Sequence, residues 1–461
     1  MSGRKMTEKV AILTIEVGST VTKVNGFNRL RGGGFKHIGQ GFAPTSISHG
    51  DVGLGVDQAI ACMLNKYPVE MGDPETFVNS SAAGGLRMTV HGLTVSMTAR
   101  AAREAALGAG GIVQKITAGE LDEYDLEEIH DIRPNIILLA GGVDFGEKEI
   151  VLRNAWKLAE LRLNVPVLYA GNQALAKTVE KIFQEADTEI KIAANVFPEV
   201  DVLNIEPVRK IIHEMFNRHI IHAPGMSRYK ELTKWGIYPT PGAVLKAAEL
   251  FAEAVGDVLV VDVGGATTDV HSVTEGSMEW SSRLIEPEPT AKRTVEGDLG
   301  VYINAARVIA LEEKDFPVFD LSDLVPIPDN ERQFRLTNRL CQRAVDVAVR
   351  RHAGTISDLY TPSGRKQIVR GKDLTAIKWV IGTGGALTLI RGGEEILRSI
   401  CKGAGQHLLP PPEANILLDD KYRFSALGTL AQAYPEDVKQ TFRLWIEAID
   451  QNSQPCQVKE E

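Results

Sequence analysis

Little in this 461-residue sequence points to disulfide, zinc, membrane or nucleic-acid chemistry. Its four cysteines (Cys62, Cys341, Cys401, Cys456) are scattered and none forms a C-x-x-C pair. That argues for reduced thiols in a cytoplasmic protein and against a disulfide frame or zinc site. The charged start MSGRKMTEKV carries no signal-peptide pattern, and the first apolar stretch, ILTIEVG, is only strand-length. No apolar run reaches the roughly 18 residues of a membrane span. The net charge of −9, with no run of Lys and Arg, excludes a nucleic-acid scaffold. The phosphate-binding pattern G-x-x-x-x-G-K-[ST] is missing, since 364–372 has the wrong spacing. The Gly-Ala-Gly-Gly run at 108–111 follows a helical stretch where a dinucleotide fingerprint needs a strand. H-E-x-x-H and G-x-S-x-G are also absent. His219 and His222 read as structural or surface histidines. His222-x-x-Gly225 lacks the Asp two positions earlier that a cobalamin-ligating motif carries, because Ile220 stands there.

What is present is glycine in pairs beside apolar runs, the mark of backbone bends or ligand contact. With 44% apolar and 24% charged residues, a chain of this length reads as two to four globular lobes. Residues 10–28 alternate as two strands about a Gly-Ser-Thr turn, which predicts a hairpin, with a third strand at 35–43 and a helix at 53–66. From 112 to 200, apolar runs alternate with helical stretches, the pattern of a small parallel α/β unit. A second strand pair is expected at 257–263 and 268–273, then helices near 290–312 and 330–353, and a strand at 378–382.

Three segments carry the chemistry. In Glu16-Val-Gly-Ser-Thr20 a glycine bend exposes consecutive backbone N–H groups as an anion nest, Ser19 and Thr20 add hydroxyls, and Glu16 can hold Mg²⁺ through water. The segment 260–270, VVDVGGATTDV, repeats the design: Asp262 is placed to orient an attacking water or the metal, Gly264 and Gly265 admit a phosphate, Thr267 and Thr268 can donate, and Asp269 can support the metal shell. At 380–386, VIGTGGA, a strand delivers glycines suited to an adenosine or α-phosphate lying on backbone.

In this order the segments resemble the phosphate-1, phosphate-2 and adenosine motifs of the actin/Hsp70/sugar-kinase ATPase superfamily. The resemblance implies an α/β fold of duplicated ribonuclease H-like lobes around a nucleotide cleft. The nucleotide contacts it implies are Gly18, Ser19, Thr20 and Lys23, then Gly264, Gly265, Ala266, Thr267 and Thr268, then Gly382, Thr383, Gly384 and Gly385. It gives Asp262, Glu16 and Asp269 catalytic roles, with Glu16 and Asp262 reaching Mg²⁺ through water and ATP as the cofactor. Where the superfamily usually carries Asp in its first motif this chain has Glu16, which implies altered metal placement or slow hydrolysis. The expected divisions are 1–111 for the first lobe, 112–205 for an α/β insertion, 206–256 for connecting helices, 257–424 for the second lobe and 425–461 for return helices and tail. Residues 241–255 and 425–433 would be the two helices between lobes, the second (SALGTLAQA) with a small-residue contact face.

Four further stretches narrow the resemblance. They are the segments 80–86 (SSAAGGL), 134–144 (PNIILLAGGVD), 204–207 (NIEP) and 294–300 (TVEGDLG). They resemble the GlmL family, the MutL-type proteins of glutamate mutase clusters, over about 10–435. That resemblance implies a slow ATPase that reactivates or loads an adenosylcobalamin-dependent amino acid mutase of the glutamate, ornithine or lysine type. ATP or ADP and the mutase subunits would be its partners, with no nucleic acid or membrane. Segments 80–85 and 140–144 would line the cleft or a partner face, and Glu296 with Asp298 would form a cleft carboxylate pair. A small-molecule kinase of the same fold and a non-hydrolysing nucleotide-sensing scaffold stay open as alternatives.

Overall fold

The structure is a computed structural model that describes residues 7–46, 51–81, 86–220, 225–311, 323–362 and 364–453. His222, Cys456 and residues 82–85 of the SSAAGGL stretch lie outside the described residues. Two sheets share one plan. In the first, β1 (Glu8–Val17), β2 (Val21–Arg29) and β3 (Phe35–Pro44) form an antiparallel meander, and β4 (Val69–Ser80) and β10 (Ile237–Pro239) extend it in parallel, in the order β3-β2-β1-β4-β10. In the second, β11 (Val258–Val263), β12 (Thr268–Val273) and β13 (Ala291–Glu296) repeat the meander. There β16 (Trp379–Thr383) and β17 (Asn415–Leu418) repeat the parallel pair, giving β13-β12-β11-β16-β17. The same strand order and the same sense at every pairing make this a duplication, as the superfamily resemblance implies. From Ile12 to Val17 β1 is buried on both faces, with Leu13 and Ile15 entering one core and Ile12 another, and the glycine bend fixes its register with β2.

A third sheet, wholly parallel, contains β5 (Leu86–Gly92), β6 (Gly111–Ala118), β7 (Ile136–Leu139), β8 (Val167–Tyr169) and β9 (Ile190–Ile192) in the order β6-β5-β7-β8-β9. The central strands β7 and β8 are buried on both sides, which is why they read as unbroken apolar runs, whereas the edge strands β6 and β9 are partly exposed. Ile136 and Leu138 enter one core with helices Arg100–Gly108 and Glu206–Ile220; Ile137 and Leu139 enter another with Glu149–Glu160 and Ala176–Glu185. The unit expected from residue 112 thus shares a sheet that starts at Leu86, ahead of that boundary.

Helices Thr240–Ala254 and Arg423–Leu430 cross between the two duplicated sheets. Their apolar faces join Ile12, Phe27 and Phe77 of the first lobe to Val258, Val260 and Ile381 of the second in a single buried cluster that floors the cleft. A helix was expected across 290–312. Residues 291–296 instead form β13, paired along its whole length with β12, and the helix is confined to Ala305–Ala310. An exposed ribbon, β14 (Thr355–Thr361) with β15 (Gly364–Arg370), rises from the second lobe and had no counterpart in the sequence reading. No helix among the described residues is long and apolar enough to cross a membrane.

Candidate functional site

The two glycine hairpins have the same construction. Gly18 N–H donates to the Val21 carbonyl at 3.2 Å, and Gly264 N–H donates to the Thr267 carbonyl at 2.9 Å. One residue pair below each turn, Glu16 faces Lys23 and Asp262 faces Asp269. The turns meet across a cavity: a Cβ added to Gly265 would lie 3.0 Å from Thr20 Oγ1. Carbonyls of Gly264, Gly265 and Ala266 accept from Val301 N–H, Ile303 N–H and the Asn304 side chain, at 3.2, 2.7 and 2.7 Å. Since C=O and N–H of a trans peptide point in opposite directions, this turns the donor edge of the loop away from the 301–304 segment. A run of backbone donors on a glycine bend suits a phosphate.

The third glycine segment closes on the second hairpin. β16 pairs in parallel with β11, placing Thr383 opposite Asp262. Gly384, at φ +87°, then turns so tightly that a Cβ would lie 2.3 Å from the Val263 carbonyl and 2.6 Å from Asp262 Oδ1. Only glycine permits both the left-handed backbone and that approach.

Charge concentrates where the three segments converge. Lys23 Nζ donates to Glu16 Oε1 at 2.8 Å and lies 4.7 Å from the centre of the Tyr422 ring. Burial works against the Lys23 ammonium, but Glu16, Asp262 and Tyr422 hold its pKa above the ordinary lysine value. Burial lifts the Asp262 carboxyl to about 7; Lys23 opposes the rise, and Asp269, Glu16 and Asp419 add to it. A carboxyl poised there can exchange a proton near neutral pH. Glu16 also accepts from Ser425 Oγ, so the second interlobe helix fixes its position.

The cavity is lined by Glu16, Gly18, Ser19, Thr20 and Lys23 of the first hairpin, by Asp262, Gly264 to Thr267 and Asp269 of the second, and by Gly384 and Gly385. Ile112 and Phe216, together with Pro326, Ile327 and Leu389, add apolar lining. Three expected contacts are not brought to it. Thr268 is fully buried and donates to the Leu299 carbonyl at 2.7 Å, because alternation along β12 sends it to the other face of the sheet. Thr383 donates to Asp419 at 3.2 Å, and Gly382 lies under Leu387, Leu397 and Leu418. Asp269 lines the cavity but is held by Arg293 Nε at 2.8 Å and by Thr267 Oγ1 at 3.2 Å. Glu296 and Asp298 do not line it either; both are paired to Arg351, at 2.6 and 2.9 Å.

The residues missed from sequence are Tyr422, Ser425 and Asp419. Asp419 accepts from Arg423 N–H and Phe424 N–H, both at 2.8 Å, and so caps the second interlobe helix. An Asp-Asp pair ahead of a small-residue helix was the available signal. The Gly141–Gly142 turn ends β7 at the carboxyl edge of the parallel sheet, where the buried Asn195 donates to the Gly142 carbonyl at 3.1 Å. It is no part of the cavity lining.

A family model described as MutL protein matches residues 12–446. Protein MutL of Clostridium tetanomorphum is 38% identical over 382 residues, which is 77% of this chain and 82% of the relative. Among solved structures, a nucleotide-free acetone carboxylase aligns over 92% of this chain and 70% of its own, at 14% identity and a TM-score of 0.39. A glycerol dehydratase reactivase aligns over 84% of this chain and 94% of its own, at 11% identity and a TM-score of 0.28.

Proposed function

Because this chain belongs to the MutL protein family, we propose that it is an ATP-binding and slowly ATP-hydrolysing factor that reactivates or loads an adenosylcobalamin-dependent amino acid mutase. The observation that carries the nucleotide part is the pair of matched glycine hairpins facing each other across one cavity, with Lys23 between Glu16 and Asp262. In this reading the hairpin donors hold the phosphates, the turn at Gly384 and Gly385 receives the nucleoside end, and Asp262 orients the attacking water. The mutase part comes from the resemblance to the MutL-type proteins of glutamate mutase clusters.

Magnesium fits this donor set as an ion borne mainly by nucleotide. No group of three or more His, Cys, Asp or Glu among the described residues could hold a metal alone. Mg²⁺ needs only one or two carboxylates beside phosphate and water oxygens, and Asp262 with Glu16 supplies them. Bound there, it would neutralise charge on the phosphates. Lys23 already offsets Glu16, and Ser425 restrains it, so hydrolysis is expected to be slow.

Nucleotide energy does useful work on a mutase only if the two cleft states differ in affinity for it. The test uses the purified full chain with a mutase of the glutamate, ornithine or lysine type whose cofactor has been inactivated. Activity is expected to return with Mg²⁺ and ATP and not without ATP. No recovery with any of these mutases, although the chain binds ATP, would sink the mutase role. A second measurement concerns Lys23. Since its ammonium lowers the Asp262 pKa, Lys23→Met is expected to move the midpoint of the ATPase pH profile upward by about one pH unit. An unmoved midpoint would show that Asp262 does not set the profile.

A further inference from the structure

Arg293 lies on β13 with only 1% of its surface exposed, yet its guanidinium serves two parts of the molecule. On one side Nε donates to Asp269 Oδ1 at 2.8 Å, one residue pair below the second glycine turn. On the other, Nη1 donates to the carbonyls of Leu107 and Gly111, at 2.9 and 3.1 Å. Leu107 lies in the last turn of the helix Arg100–Gly108 and Gly111 begins β6, so the cation sits at a helix C-terminus, where it shares the Leu107 carbonyl with Gly110 N–H, which donates at 2.9 Å. The intervening turn is wedged in place. A Cβ on Gly110 would lie 2.8 Å from Pro239 Cβ and 3.3 Å from Gly242 N, at the start of the first interlobe helix.

Two more arginines strap the parallel-sheet unit to the stretch leading into and starting β13. Arg100 donates to Glu286 and to the Pro287 carbonyl, each at 2.8 Å, and Arg209 donates to the Ala291 carbonyl at 3.0 Å. Of the three, Arg293 is the one that also grips the second hairpin.

We propose that Arg293 is a positioning residue that couples the second glycine hairpin to the parallel-sheet unit, so that the turn at 107–111 follows what the hairpin holds. This rests on the nucleotide reading of the cavity. A phosphate received at Gly264 to Thr267 draws on the same strand that carries Asp269. Any displacement of Asp269 obliges the rigid guanidinium fork to tilt, and the Leu107 and Gly111 carbonyls that it holds in this buried site are drawn with it. Gly110 and Ile112 line the cavity, so the turn is also placed to sense closure directly.

Hydrogen–deuterium exchange on the full chain, with and without Mg²⁺ and ATP, tests the coupling. In the wild-type protein ATP is expected to change exchange at amides 107–113 by about fivefold or more, the lower end of allosteric couplings. Arg293→Lys keeps the positive charge but cannot serve Asp269 and both carbonyls at once. It is expected to bind ATP as wild type does, with that change reduced below about twofold and with kcat lowered at unchanged KM. Asp269→Asn cuts the link from the other end and should mute the same amides. A wild-type chain that binds ATP with no change at 107–113, or an Arg293→Lys protein that responds as wild type does, would overturn the coupling and leave the nucleotide reading intact. A wild-type chain that fails to bind ATP would remove that reading and the coupling with it.

Discussion

Asp262→Asn is expected to lower the rate of ATP hydrolysis about 10²–10⁴-fold, the usual contribution of a positioned base, while changing ATP affinity only a few-fold. The asymmetry follows from the site. Glycine donors of both hairpins would still hold the phosphates, whereas the group that orients water is gone. The pH dependence carries a sign that can be checked. With its carboxyl lifted to about 7 by burial, Asp262 is protonated below that pH and ionised above it. If the carboxylate is the working form, kcat/KM rises through pH 7 and levels off beyond it, and the Asn variant shows a low, flat profile. A variant that hydrolyses ATP at the wild-type rate would remove Asp262 from the reaction.

Gly428→Val is expected to cost about 3 kcal/mol or more, at or above the upper end of overpacking penalties. Where the two interlobe helices cross, a Cβ on Gly428 would lie 1.8 Å from the Ala243 carbonyl oxygen and 2.6 Å from its carbon. That obstacle is backbone, so trimming the facing side chain brings no relief. Ala243→Gly combined with Gly428→Val should melt as low as Gly428→Val alone. Thermal unfolding of the three proteins decides it, and a Gly428→Val protein melting with wild type would mean that the helices do not pack this closely.

The hairpins were legible because their chemistry is local: glycine bend, acid and hydroxyls lie within ten residues, and alternation on either side fixes the strands. The interlobe helices were legible for a similar reason, since Ser-Ala-Leu-Gly-Thr-Leu-Ala leaves one face smooth enough for a backbone to approach. What stayed hidden depends on distant partners. β13 reads Ala-Lys-Arg-Thr-Val-Glu, a sequence that fits an exposed helix. Lys292 and Arg293 are buried in a strand because Glu288 and Asp269 await them there. The ribbon β14–β15 is exposed over most of its length and packs only at its base, through Ile356 and Val369, so it leaves little alternation of apolar residues to detect. Ser425 and Tyr422 reach Lys23 and Glu16 from the far end of the chain, and no spacing rule connects them. Thr268 fails for the opposite reason. It sits within the motif, but the period of a strand turns it away from the cavity.

The buried cluster that floors the cleft has a mechanical consequence. Ile12 and Phe77 from one lobe and Val260 and Ile381 from the other pack into the same interior, with the two crossing helices between them. Halves joined in this way behave like the blades of a pair of shears around a rivet. Swinging would leave the rivet covered, whereas parting them would expose it to water at the full hydrophobic cost. Motion is therefore channelled into rotation, small at the floor and largest at the rim. The hairpin turns lie close to that pivot, since Ser425 of one crossing helix donates to Glu16, so a ligand held by them gains a lever arm only through the part of it that reaches toward the rim.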